Sequence, residues 1–226
     1  MKNPLFILIF LCYNMHRERR LLAPYGVYTA LLGKAQPKSG GEKMKKLILI
    51  LGDLASGKST TADLLSKRYS IPSLKKDTIK EILGDTIGFT NREENLKLSK
   101  ATFELLLHAF DRISLTSGDL ILESNFRESE LDRLTALAEE RGYSILSLLL
   151  TADTEVLYKR YLARIESGRH PVHLTIDFDS YEGFVSYVLP QRQIPKRGEL
   201  VRISADDFSY QRDPLLFEKI EEFLKG

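Results

Sequence analysis

Gly52, Gly57, Lys58 and Ser59 stand at the spacing G-x-x-x-x-G-K-[ST], a pattern suited to cradling a chain of phosphates. Residues with little side-chain bulk let backbone N–H groups wrap a triphosphate, and a helix that starts just behind them adds unsatisfied N–H groups and the positive end of its dipole. The Lys58 ammonium supplies a full charge at the β/γ-phosphates, and the Ser59 hydroxyl is a ligand for Mg²⁺. The expected phosphate-binding run is therefore Gly52, Asp53, Leu54, Ala55, Ser56, Gly57, Lys58, Ser59 and Thr60.

Other residues of the chain could act on a bound phosphate. Asp77 could accept a hydroxyl proton, or orient that hydroxyl, during attack on a γ-phosphate; it could equally serve as the carboxylate that opens a helix. Glu123 ends an apolar run, where a charge is rarely left without a task. It could hold a metal-bound water or orient an acceptor, and the alternative is an ion pair with a neighbouring Lys or Arg. Asn125 is a further acceptor contact, and Asp153 reads as a helix N-cap. Arg160 and Arg164 are four apart on one helical face, with Arg169 beyond them. Such a group could neutralise charge on a transferring phosphoryl, or could be a solvated face paired with Glu155 or Glu166. His170 and His173 flank Pro171 as loop structure or acceptor contacts, not as a metal site.

These residues need a scaffold that brings them together. Leu47 to Leu51 reads as a buried strand, and a helix follows from Thr60. Further strands are expected at Ser70 to Leu74, Leu120 to Glu123, Ile145 to Leu150 and Leu200 to Ile203. Pro72 marks the second of these as a sheet edge. Helices are expected at Lys76 to Leu83, Asn91 to Ser117, Glu128 to Arg141, Thr154 to Ser167, Phe178 to Leu189 (ended by Pro190) and Pro214 to Leu224. Gly84 to Thr90 reads as a loop, and the long helix carries Leu96, Ala101, Leu105, Ala109 and Ile113 as its apolar side. Alternating strands and helices predict an α/β fold, a five-stranded mainly parallel sheet with helices on both faces. In such a sheet all strand C-terminal ends share one edge, where ligands bind. That edge gathers the phosphate loop, Asp77, Glu123, Asn125 and Asp153. Past Gly168 the apolar pattern stops, so Arg169 to Asp179 is expected to move and close over ligands.

The chain has 226 residues and a net charge of +2, but the charge is uneven. Residues 1–43 hold seven basic and two acidic residues, +5; the remainder holds 26 basic and 29 acidic, −3. A mildly acidic body gives no electrostatic case for nucleic acid. The single cysteine, Cys12, excludes a disulfide framework. Leu5 to Cys12 is too short to span a bilayer and lacks a cleavage site after it, so neither a membrane nor export is expected. Residues 1–43 are read as an appendage, either disordered or the product of a misassigned upstream start, with the working domain at 44–226 beginning at Met44.

GDLASGKST, KKDTIKEIL, LILESNF and RIESGRHPVH, in that order, resemble the small P-loop kinases of the AAA-type ATPase group, relatives of zeta-toxin, chloramphenicol phosphotransferase and polynucleotide-kinase domains. The resemblance spans roughly residues 45–210. It implies a three-layer, nucleoside-kinase-like P-loop fold, ATP and Mg²⁺ at Lys58 and Ser59, Asp77 as acceptor base, and a lid over Arg160 to Arg169. It implies a cytoplasmic monomer or homodimer that takes ATP and a small hydroxyl-bearing acceptor. Ala55 departs from the glycine of many relatives, and no arginine-finger signature of ring-forming machines is present. Other activities consistent with the resemblance are a sugar-nucleotide kinase, a 5′-hydroxyl polynucleotide kinase and a non-catalytic nucleotide switch.

Overall fold

The computed structural model describes residues 44–116, 118–173 and 178–226; the expected appendage, residues 1–43, lies outside them. Five strands form one sheet: β1 (Lys45–Gly52), β2 (Ser73–Lys75), β3 (Leu120–Glu123), β4 (Tyr143–Thr151) and β5 (Glu199–Ser204). Their order is β2-β3-β1-β4-β5 and every pairing is parallel. The register sets Ile50 opposite Glu123 and Gly52 opposite Leu150, so the ends of β1, β3 and β4 meet at one edge.

Alternate residues of β1 serve two cores, as the two-residue period of a strand requires. Ile48 and Ile50 face α1 (Lys58–Tyr69), α5 (Thr154–Glu166), α6 (Tyr181–Arg192) and α7 (Pro214–Lys225). Leu47, Leu49 and Leu51 face α3 (Arg92–Ser114) and α4 (Glu128–Glu140). The sheet is thus covered on both sides. Among the described residues no helix is long and apolar enough to cross a membrane.

Four local expectations need correction. The second strand starts later than Ser70, because Ser70 caps α1 in a left-handed turn (φ 55°) and Pro72 only lends its carbonyl to Ile121 N–H (3.0 Å). It is still an edge strand. Residues 84–87 are helical: α2 runs Lys76–Ile87 through Gly84, which is buried. A Cβ there would come within 3.2 Å of Val172 Cγ2, so this glycine buys close packing rather than a turn. The buried side of α3 is Leu98, Thr102, Phe103, Leu106, Leu107 and Phe110, while Leu96 and Leu105 are exposed. Two phenylalanines outweigh the alanines that defined the expected face. Finally, α6 continues past Pro190 to Arg192. Pro190 falls in the last turn, where the carbonyl it deprives of a donor lies on exposed Ser186 and can turn to water.

Candidate active site

The loop between β1 and α1 is shaped by contacts that leave little room for side chains. Gly52 has φ 138°, and a Cβ there would overlap the Leu150 carbonyl at 2.0 Å. Gly57 has φ 91°, and its Cβ would sit 2.9 Å from Phe208 Cε1. Ala55 also takes a left-handed conformation, φ 66°, with its methyl buried. A glycine would be relaxed there, and alanine carries backbone strain of about 1 kcal/mol.

Lys58 folds back so that its Nζ donates to the Asp53 carbonyl (2.6 Å). Burial lowers its pKa, while Glu123 and Asp77 pull it back up. The Ser59 hydroxyl, at the exposed start of α1, donates to Glu123 Oε2 (3.1 Å). Glu123 is buried at the end of β3. One hydroxyl and one carboxylate oxygen suit Mg²⁺, which keeps several waters and takes the rest of its shell from phosphates. Burial raises the Glu123 pKa above the ordinary 4.5, Lys58 opposes this, and Asp77 adds to it. A raised carboxylate pKa means that the charged form is reached only at higher pH. Asp77→Asn should therefore move the Glu123 titration to lower pH in the ligand-free protein. Carbon-13 NMR of the side-chain carboxyl reads this directly, and an unmoved midpoint would separate the two groups.

Asp77 lies in the first turn of α2, exposed, and its side chain has no hydrogen-bond or ion-pair partner among the described residues. Its field reaches Lys58, Glu123, Lys80, Arg164 and Tyr187. Arg164 is exposed at the surface, yet desolvation by the chain packed around it and then Arg169 lower its pKa, though a guanidinium remains charged at any working pH. Arg169 lies 5.9 Å from the Tyr161 ring centroid. The structure thus groups Lys58, Ser59, Asp77, Glu123, Arg164 and Arg169.

Three expected site residues have other engagements. Arg160 donates to the carbonyls of Ala205 (2.6 Å) and Asp206 (2.9 Å) and lies 4.5 Å over Phe208. It braces the loop after β5 beside Phe208, whose exposed ring borders Gly57 of the phosphate loop. Asn125 lines a small recess together with Gly52, Asp53, Arg192 and Lys196. The Asp53 carboxylate is buried and held by Arg192, whose Nη2 donates to Oδ2 (2.7 Å) and to the Ala152 carbonyl (2.6 Å). Only the Asp53 backbone serves the loop. Asp153 caps α5, accepting from Glu155 N–H at 2.8 Å.

Arg192 was invisible to sequence reasoning, which ended its helix at Pro190. Removing it should strand Asp53 as a buried, unpaired charge, a loss of about 3 kcal/mol. Arg192→Met should accordingly lower the melting temperature by roughly 5–10 °C. A melt within one or two degrees of wild type would make the pair dispensable.

The segment after α5 is more anchored than expected. His170 Nε2 pairs with Asp85 Oδ1 (3.0 Å) and His173 Nε2 with Glu81 Oε1 (2.8 Å). Val172 is buried against Gly84. The two histidines are loop structure, docked on α2. Residues 174–177, the middle of the expected moving segment, lie outside the described residues.

The AAA domain family profile matches residues 48–171, more than half of the chain. No curated protein matches. Among solved structures, a kinase candidate from Chloroflexus aurantiacus shares 25% identity, with TM-score 0.70 over 80% of this chain and 99% of that one. Shikimate kinase from Aquifex aeolicus shares 16% identity, with TM-score 0.50 over 80% of this chain and 99% of its own. The Mycobacterium tuberculosis APS kinase shares 15%, with TM-score 0.50 over 81% and 99%. The latter two likenesses are of fold alone. With its phosphate loop, all-parallel sheet and matched profile, the chain belongs to the AAA domain family and has the fold of the small P-loop kinases.

Proposed function

We propose that the protein is an ATP-dependent kinase that transfers the γ-phosphate to a hydroxyl of a small molecule. The observation that carries this reading is an unpartnered Asp77 within electrostatic reach of both Lys58 and Glu123. A nucleotide switch needs the phosphate loop but has no use for a free carboxylate beside it. The residues of the loop bind the triphosphate; Ser59 and Glu123 would hold Mg²⁺, whose charge neutralises the phosphates. Asp77 accepts the hydroxyl proton as the acceptor oxygen bonds to γ-phosphorus and the bond to the bridging oxygen breaks, releasing ADP. Arg164 and Arg169 offset charge on the transferring group.

Arg164→Ala and Arg169→Ala should lower kcat by roughly ten- to a thousandfold while ATP KM moves little, since their charge matters most in the transition state. Equal losses in both constants would make them ground-state binders, and no loss would return them to solvated surface. The function is tested by incubating labelled ATP with a panel of hydroxyl compounds. Label on an acceptor supports the kinase, and release only as inorganic phosphate in every case overturns it. The assay is run with the full chain and with a chain that begins at Met44. We propose that residues 1–43 lie outside the kinase domain, so the shorter chain should match the full one; loss of activity there would overturn that boundary.

A further inference from the structure

Charge does not balance around Asp77. Among the described residues, Asp77 and Glu123 are the cleft carboxylates without an ion-pair partner, because Asp53 is taken by Arg192. Against them stand Lys58, Lys80, Arg127, Arg164 and Arg169. A triphosphate engages Lys58, and on the reading above Arg164 and Arg169 as well. Lys80 and Arg127 are then without a task.

Both are held near Asp77 by specific contacts. The Glu130 carboxylate accepts from Lys76 Nζ (2.7 Å) and from the Arg127 backbone N–H (3.0 Å), which pins the starts of α2 and α4 to one group. Asp77 follows Lys76 directly, so the start of α4, where Arg127 lies, is tied to the turn of α2 that carries Asp77. Lys80 lies one turn further along α2. Its Nζ donates to Asn95 Oδ1 (2.7 Å) and the Val172 carbonyl (3.2 Å), and Asn95 Nδ2 donates to that same carbonyl (2.9 Å). Asn95 is buried. Lys80 is thus oriented by neutral oxygens only, with no carboxylate in contact among the described residues. Arg127 has no side-chain hydrogen bond or ion pair among them. A half-buried cation such as Lys80 is normally matched by an anion, and Arg127 is exposed at the start of α4, open to an incoming group. Lys80 and the half-buried Tyr187 both sit in the fields of Asp77, Arg169 and Arg127, which places the four charges and the phenol in one neighbourhood.

We propose that the acceptor carries, besides its hydroxyl, an anionic group, a carboxylate or a phosphate, received by Lys80 and Arg127 while Asp77 meets the hydroxyl. The hydroxyl half of this rests on the kinase reading; the anion site does not. Its probe is inorganic phosphate, titrated by calorimetry into the full chain saturated with AMPPNP and Mg²⁺, so that the nucleotide site is already filled. One further phosphate site is expected, weakened about tenfold in Arg127→Gln and in Lys80→Met, the loss of one charge-assisted contact. AMPPNP affinity and melting temperature report on folding. Arg127→Gln keeps the test sound if Lys80→Met disturbs Asn95, since the Arg127 side chain supports nothing else. A matched panel of a neutral polyol, its terminal carboxylate and its phosphate ester is then offered with labelled ATP. Transfer to an anionic member at least a hundredfold above the polyol in kcat/KM supports the proposal, and the better member names the anion. Phosphate binding without transfer to any hydroxyl keeps the anion site and sinks the kinase reading. Transfer to the polyol as fast as to its anions, or phosphate affinity unchanged in both variants, overturns the anion site and leaves the kinase standing.

Discussion

Lys58→Ala will give a folded protein that has lost most of its affinity for a triphosphate. Among the described residues Lys58 Nζ has one hydrogen bond, to the Asp53 carbonyl, and burial already works against its charge. Removing the ammonium therefore takes little from the fold, and the melting temperature should stay within a few degrees of wild type. The bound triphosphate loses its main cationic partner. A charge-assisted hydrogen bond contributes about 1.5–3 kcal/mol, so ATP affinity should fall roughly ten- to a hundredfold or more. Turnover should fall further, because the lysine also meets charge that develops during transfer. Calorimetry with AMPPNP and Mg²⁺ beside a thermal melt checks both halves. Near-normal binding by a well-folded variant would contradict the assignment of the loop.

The parts of this fold that were legible in the sequence are those set by short-range chemistry. The β1 strand reads from its unbroken apolar run because both faces are buried, and Gly52 and Gly57 read from their spacing because no Cβ fits where they lie. Pro72 pointed to an edge, and β2 is one. The N-cap at Asp153 was equally local.

What escaped was set by partners far along the chain. Gly84 looked like a helix stop, yet Val172, distant in sequence, makes it a packing position. Pro190 looked like another stop, yet α6 runs on to deliver Arg192 to Asp53. No local pattern announces an ion pair that joins positions so far apart. Arg160 shows the reverse case: its four-residue spacing from Arg164 suggested a shared role, but the carbonyls of Ala205 and Asp206 claim it for the loop after β5. Lys80 and Arg127 were passed over because nothing in their neighbours' identities says that they have no carboxylate partner among the described residues. That is visible only once Asn95 and Val172 occupy the contacts of Lys80.

Asp77→Asn should leave ATP binding intact and lower phosphate transfer by roughly two to four orders of magnitude, the range for a lost general base. The substitution keeps the shape of the side chain, and Asp77 makes no hydrogen bond or ion pair among the described residues, so the fold has nothing to lose. Triphosphate affinity should hold or rise, because a negative charge near Lys58 and Arg164 is removed along with its repulsion of the phosphates. The opposite movement of the two quantities is the informative part. A structural role for Asp77 would lower stability and affinity together, whereas a base lowers kcat alone. If transfer continues at the wild-type rate, Glu123 is next in line for the proton. Its buried carboxylate, with a pKa raised by burial, then becomes the acid limb of the pH profile, and Glu123→Gln would abolish that limb. Loss of transfer in Asp77→Asn with ATP still bound leaves the proton with Asp77, and Glu123 with the metal.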